Sequence, residues 1–297
     1  MMAFHVYACG PLDDFIQHFA SFAAHQEARY NLMWGLMLRM RRFRPRQPDS
    51  YWAWVENGEG KVEGVALRTP GNQLVISDFS DVSALGPLID DLVRRNQGLP
   101  GVLGPTPIAE IFASAWSSGA GCQFSLTMRE TIYELTAEKL VSRDLKENER
   151  VIEARSESTR DWLTGWIYEF EREAMPEVGA TMEHAMQLVN GRLNPPDGCA
   201  GFYVLEVEDQ PRSVVGYANP TLTGIRIAPV YTPSKWRNQG YAGRLVAESC
   251  RRLFGQGYHR IFLFADKKNP EANAIYQKTG FASVEEVDHY QFVASPA

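Results

Sequence analysis

The chain is poor in the residues that staple or metallate a fold. Its four cysteines, Cys9, Cys122, Cys199 and Cys250, are far apart and no two form a CxxC. Its six histidines are scattered, with no HxH or HExxH pair. A disulfide framework and a zinc centre are therefore not expected, and a metal-free protein of the reducing cytoplasm is. No stretch approaches the roughly 18 successive apolar residues of a membrane span. The opening MMAFHVYACGPLDD has no basic region followed by an apolar core, so neither a membrane segment nor a signal peptide is expected. Positive charge is also short: 30 Lys+Arg face 36 Asp+Glu, a net charge of −6 spread nearly evenly along the chain. That balance argues against nucleic acid or an anionic membrane as a general partner. Two phosphate-binding signatures are absent as well, the nucleotide P-loop GxxxxGK[ST] and the dinucleotide fingerprint GxGxxG.

What is present describes a globular protein. Apolar residues make up 44% and charged residues 22% of 297 positions, a length suited to two domains of ordinary size. A polar, charged stretch from Ala137 to Arg150 separates two apolar-periodic halves, which places a boundary between domains 1–147 and 148–297. In the first half, helices are expected over Asp13–Tyr30, Asn31–Met40, Val82–Asn96 and Pro105–Trp116. Strands are expected at Tyr51–Glu56, Val62–Arg68, Gln73–Ser77 and Gln123–Leu135, with a short apolar stretch at Gly101–Leu103. The second half repeats the order. Helices are expected over Ser158–Met175 and, more weakly, just after it. Strands follow at Gly201–Val207, Val214–Asn219 and Ile225–Tyr231, then a helix over Tyr241–Phe254, a strand at Ile261–Ala265, a helix from Pro270 and a strand over Ala282–Phe292. Two halves with one element order suggest a duplicated α/β unit. The run from Arg39 to Arg46 is the one basic concentration and reads as a solvated helix end and loop.

The most informative stretch is IRIAPVYTPSKWRNQGYAGRL, Ile225 to Leu245. An apolar strand runs through Pro233 into Arg237-Asn238-Gln239-Gly240-Tyr241-Ala242 and then into an amphipathic helix. A glycine-containing loop at a helix N-terminus presents unpaired N–H groups and the positive end of the dipole, which suits a phosphate or pyrophosphate. Gly240 and Ala242 let the backbone approach an anion closely, and Arg237 adds charge at the entrance. Taken alone, RxxGxA also fits an ordinary turn opening a helix.

In context the stretch resembles the GCN5-related N-acetyltransferase (GNAT) superfamily, whose signature [QR]-x-x-G-x-[GA] is matched by Arg237, Gly240 and Ala242. The block Asn269-Pro270-Glu271-Ala272-Asn273-Ala274-Ile275-Tyr276-Gln277-Lys278-Thr279-Gly280-Phe281 resembles the last block of that family. The resemblance covers roughly residues 150–292. Residues 1–136 lack the loop and look like a degenerate copy, as in tandem members. The resemblance implies an α/β (α+β) fold of two GNAT-like domains, each a mixed, mostly antiparallel sheet flanked by helices. It also implies an acetyl-CoA-dependent N-acetyltransferase acting on a small-molecule or peptide amine, as a monomer or homodimer. On that reading Val230, Tyr231 and Thr232 meet the pantetheine arm, and the amides of Asn238, Gln239, Gly240, Tyr241, Ala242 and Gly243 hold the pyrophosphate. Tyr276 stands in the place of the general-acid tyrosine, since a phenol of pKa about 10 can protonate a departing thiolate. Asn269 suits a helix N-cap, and Asn273 either meets the pantetheine amide or is a solvated polar position. Glu173 is the candidate base for the amine, beside Glu169 and Glu171, which with it also read as a solvated acidic face. The alternative is a non-catalytic acyl-CoA-binding or regulatory module on the same fold.

Overall fold

A computed structural model of the chain describes residues 3–43, 50–155, 157–174, 179–195 and 198–294. Arg44, Pro45 and Arg46 of the basic run, and Met175, lie outside the described residues. Two compact units form. One comprises residues 1–132, 266–268 and 284–297, the other residues 133–265 and 269–283. The division at Ile132/Tyr133 thus falls ahead of the boundary expected at 147/148. The polar segment belongs to the second unit because its apolar residues are used there. Leu140 and Leu145 pack on that unit's core, and the Val141 N–H donates to the Thr279 carbonyl at 3.0 Å.

The first unit is built from β1 (His5–Ala8), α1 (Leu12–Phe22), α2 (Asn31–Phe43), β2 (Tyr51–Glu56), β3 (Val62–Arg68), β4 (Leu74–Ile76), α3 (Leu85–Arg94), β5 (Gly101–Pro105), α4 (Thr106–Ala120) and most of β6 (Cys122–Thr136). Strands β1 to β4 pair antiparallel in sequence, and β4 pairs parallel with β5. Phe15 and Phe19, one helical turn apart on α1, are fully buried against Trp34 and Met37 of α2. The helix expected to reach Tyr30 ends at Phe22. The Ala23 N–H closes the last turn on the Phe19 carbonyl at 2.7 Å, and His25 adopts a left-handed φ of 64° that turns the chain. Tyr30 then packs edge-on to Phe19 at 6.0 Å. The helix expected from Val82 opens instead as a 3₁₀ turn at Val82–Ala84 and stops at Arg94, with Asn96 left-handed at φ 52°. At the end of α2, Arg41 pairs with Asp13 at 3.0 Å on an exposed surface, as a solvated helix end requires.

The second unit repeats the order: β7 (Glu149–Glu153), α5 (Glu157–Ala174), α6 (Met182–Leu193), β8 (Gly201–Val207), β9 (Gln210–Ala218), β10 (Gly224–Tyr231), α7 (Tyr241–Gly255), β11 (Arg260–Asp266) and α8 (Pro270–Thr279). Strands β7 to β10 are antiparallel and β10 pairs parallel with β11, the same pattern as β1 to β5. The last strand, β12 (Ala282–Ala294), has its residues from Val284 counted in the first unit, where it pairs antiparallel with β5 from Val287↔Pro105 to Gln291↔Gly101. In the second unit, one sheet face buries Tyr203, Leu205, Ile225, Ile227 and Leu263 against Leu245, Val246 and Leu253 of α7. The other buries Phe202, Val204, Val214 and Tyr231 against Leu163, Ile167 and Val189 of α5 and α6. Each such apolar side chain contributes about 1.5–3 kcal/mol by leaving water, so both faces hold β10 firmly at the centre.

Candidate functional site

The site begins where two parallel strands part. β10 pairs with β11 only from Gly224↔Arg260 to Arg226↔Phe262, although β10 runs on to Tyr231 and β11 to Asp266. At the closed end a Cβ on Gly224 would lie 2.7 Å from the Arg260 carbonyl oxygen, so only glycine permits that approach. Beyond Arg226 the edge of β10 facing β11 has no ladder, while its other edge pairs with β9 to Tyr231↔Val214 across a register shift between Ile227 and Val230. An unladdered strand edge offers backbone donors and acceptors to an extended ligand.

The chain leaves β10 through Thr232 and Pro233 and reaches α7 with two left-handed residues, Asn238 at φ 62° and Gly240 at φ 75°. Gly240 is the N-cap of α7 and makes no side-chain cap, so the first amides of the helix face outward without a cap. A Cβ on Gly240 would stand 2.8 Å from Nη1 of Arg244. Arg244 in turn donates from Nε and Nη2 to the two oxygens of Glu149, at 2.7 and 2.6 Å, and from Nη2 to the Gln239 carbonyl at 3.1 Å. The Tyr241 hydroxyl donates to Gln239 Oε1 at 2.9 Å.

Four residues expected in the site, Arg237, Thr232, Glu173 and Tyr231, meet at the loop entrance. Arg237 donates from Nε to the Thr232 carbonyl at 2.9 Å, from Nη2 to Glu173 Oε2, and stands 5.7 Å from the Tyr231 ring. The Tyr231 hydroxyl donates to Glu173 Oε1 at 3.4 Å. Burial raises the Tyr231 phenol pKa and the Glu173 charge adds to the rise, so this phenol stays a donor. Both Glu173 oxygens are therefore engaged. A further cation stands beside the start of α7. Arg143, from the polar segment read as a boundary, lies with Nη1 3.4 Å from where a Cβ of Gly243 would be, and its buried Nε has no hydrogen-bond partner. Nothing in the local pattern VSRDLK signals this, because the contact is made by the fold of the whole unit.

On the sheet face that α7 also covers, Asn269 caps α8 by accepting from the Ala272 N–H at 3.0 Å, with Pro270 in the first turn. Asn273 accepts from the Tyr133 hydroxyl at 2.9 Å and donates to the Asn269 carbonyl at 2.7 Å, so it ties α8 to β6. Tyr276 is 7% exposed, with its ring 6.2 Å from Tyr133 and 5.9 Å from Phe281.

The first unit differs at the equivalent place. Its β4 and β5 stay close past their last pair, since a Cβ on Gly104 would meet the Ile76 side chain at 2.5 Å and its carbonyl at 3.1 Å. The turn into α3 is capped by Asp81, which accepts from the Ser83 N–H at 2.9 Å and hydroxyl at 2.6 Å. Those bonds, the hydroxyl first, hold its carboxyl below the usual range. A carboxylate thus caps the turn here, where glycine stands at the start of α7.

Among the described residues, no group of three or more His, Cys, Asp or Glu is placed to hold a metal, and no helix is long and apolar enough to cross a membrane. Residues 156–281 match the model of the acetyltransferase (GNAT) family. No curated protein matches the sequence. Among solved structures, the chain is similar to a GCN5-related N-acetyltransferase from Sphaerobacter thermophilus, with a TM-score of 0.63 at 14% identity over 99% of this chain and 96% of that one. A Drosophila protein matches with a TM-score of 0.67 at 11% identity, over 98% and 99% of the two chains. A tandem GNAT protein from the clavulanic acid biosynthesis pathway matches over 100% of both chains, with a TM-score of 0.55 at 10% identity. These likenesses establish the fold as two GNAT-like domains in tandem, each with a mixed, mostly antiparallel sheet flanked by helices.

Proposed function

We propose, from the premise that residues 156–281 form a domain of the acetyltransferase (GNAT) family, that the C-terminal unit is an acetyl-CoA-dependent N-acetyltransferase acting on a primary amine. The observation that carries this reading is the parting of β10 from β11 beyond Arg226, immediately before an uncapped helix N-terminus. The residues present fit the coenzyme. The orphaned Nε of Arg143 and the cap at Gly240, where a side chain would collide, suit a diphosphate held by the amides of residues 238–243. The open edge of β10 at Val230, Tyr231 and Thr232 suits an amide-bearing arm. The coenzyme supplies a thioester carbonyl, an electrophile toward amines.

The acceptor nitrogen attacks that carbonyl carbon, so a C–N bond forms as the C–S bond breaks. The nitrogen releases one proton and the departing sulfur takes one up. Tyr276 donates the second proton and recovers it from solvent. The proton-acceptor role expected of Glu173 becomes a positioning role in this proposal, because its oxygens are committed to Arg237 and Tyr231. The nitrogen's proton then leaves to water. Asn273 positions Tyr133 and α8 and does not contact the ligand directly. The N-terminal unit binds no coenzyme, since Asp81 repels it, and the protein works in the cytoplasm.

Thermal unfolding with CoA tests the donor side, because a ligand at a hundred times its dissociation constant stabilises by about 2.7 kcal/mol. Release of free thiol from acetyl-CoA on addition of amines tests transfer. No rise in Tm at millimolar CoA would overturn the reading.

A further inference from the structure

β10 is an inner strand, yet Ala228 in its middle is exposed. Cross-strand partners share a sheet face, so Arg226 shares a face with Ala218, and Gly216 with Phe202. Ala218 and Gly216 are two residues apart, which makes this one face, the one covered by α5 and α6. Its floor beside the strand parting is made of small residues, and two guanidinium groups flank it. Arg192 of α6 reaches across the sheet. Its Nη1 donates to the Ala228 carbonyl and its Cζ lies 5.6 Å from the Phe202 ring. A Cβ on Gly216 would sit 2.5 Å from that Nη1, so the glycine is what admits the arginine. Arg226 is the last residue of β10 paired with β11, and its Cζ lies 5.6 Å from the ring of Phe264 on β11.

The position matters for chemistry. An extended arm bonded to the open edge of β10 and anchored at residues 237–243 can run back only as far as Arg226, where β11 takes over that edge. The reacting end therefore arrives between Arg192 and Arg226. Three acidic side chains near the end of α5 are already engaged: Glu169 with Arg172, Glu171 with His184 at 2.9 Å, and Glu173 with Arg237.

We propose that the acceptor is an amine whose skeleton also carries an anionic group of the carboxylate class, received by Arg192 and Arg226. This rests on the acetyl-transfer reading above. Planar guanidinium groups bind carboxylates through paired hydrogen bonds. The same two cations disfavour a neighbouring ammonium and so favour the neutral, nucleophilic amine. That removes the need for a side-chain base.

The test compares amino acids with the amines left by removing their carboxylate: glycine with methylamine, β-alanine with ethylamine, L-lysine with cadaverine, and L-phenylalanine with phenethylamine. O-phosphoethanolamine against ethanolamine separates phosphate from carboxylate. Each is titrated calorimetrically into the full chain with and without saturating CoA, and each is assayed for thiol release from acetyl-CoA. The expected result is a lead of about tenfold or more for the best carboxylated member over its partner in both affinity and kcat/KM. Arg192→Gln and Arg226→Gln should each bring that ratio toward one. Equal binding within every pair, a ratio untouched by both substitutions, or a stronger lead for O-phosphoethanolamine overturns the proposal. Carboxylated amines that bind through Arg192 without any thiol release would overturn acetyl transfer and leave this inference standing.

Discussion

Arg244 and Glu149 form a two-point ion pair in which the glutamate side chain is 1% and the arginine 13% exposed. The pair joins the first strand of the second unit to the first turn of α7, one turn past Gly240. Removing one partner strands the other charge away from water, which costs about 3–5 kcal/mol. Glu149→Gln should lower stability by about 3 kcal/mol in denaturant unfolding. Burial opposes the charged form of Glu149, but hydrogen bonds from Arg244 and the Lys146 N–H, with the charges of both, outweigh it and hold the carboxyl below its usual range. A depressed folded pKa contributes stability above the unfolded value near 4.3. The difference between wild type and variant should therefore be full at neutral pH and shrink as pH falls below about 4.3. A constant difference from pH 7 to pH 3 would rule out the ionised pair.

Gly240→Ala places a Cβ on a left-handed residue and 2.8 Å from Arg244. The backbone cost alone is about 1–2 kcal/mol, and relieving the contact moves the cap of α7. CoA affinity should fall at least tenfold, with a smaller fall in Tm. Unchanged affinity would show that this cap is not part of the anion site.

Arg143→Ala isolates charge from backbone shape, because Arg143 touches the loop without shaping its φ angles. Its Nε makes no hydrogen bond that the variant would lose, so the Tm of the free protein should change little. CoA should bind about tenfold more weakly, and its affinity should depend less steeply on salt. Equal affinity at low salt would remove Arg143 from the site.

Glu173→Gln separates two roles. A positioning carboxylate that holds Arg237 should, once neutralised, raise the KM for acetyl-CoA and leave the shape of the pH–rate profile unchanged. A base would instead lose turnover by about a hundredfold or more and lose the acid limb of the profile. The measurement is kcat and KM from pH 6 to pH 9.

Much of this was legible in the residues. The loop at 237–242 and the capped block from Asn269 carry their local chemistry with them, and the long strands and helices follow apolar periodicity. β1 and β7 were not, because four or five residues such as His5–Ala8, or Glu149–Glu153 inside a charged run, carry too little alternation to stand out. The end of α1 is hidden in the sequence because apolar residues continue past Phe22 while His25 turns the backbone. Arg143, Arg192 and Arg226 were invisible for another reason. An arginine's long side chain finds its place through tertiary packing, and in the case of Arg192 through a glycine on another strand.

Tyr276 offers the sharpest test of the chemistry. Its ring is buried in the core of the second unit and is held between Tyr133 and Phe281, so phenylalanine preserves the packing and removes only the hydroxyl. If that hydroxyl protonates the departing sulfur, Tyr276→Phe should lower kcat by about a hundredfold to ten-thousandfold, with CoA affinity changed less than twofold by calorimetry. The loss should be smaller for thioesters whose thiol is more acidic, because such a leaving group needs less help from a proton. A variant with unchanged kcat would return Tyr276 to a purely packing role. A variant that loses coenzyme affinity and turnover together would make it a binding residue.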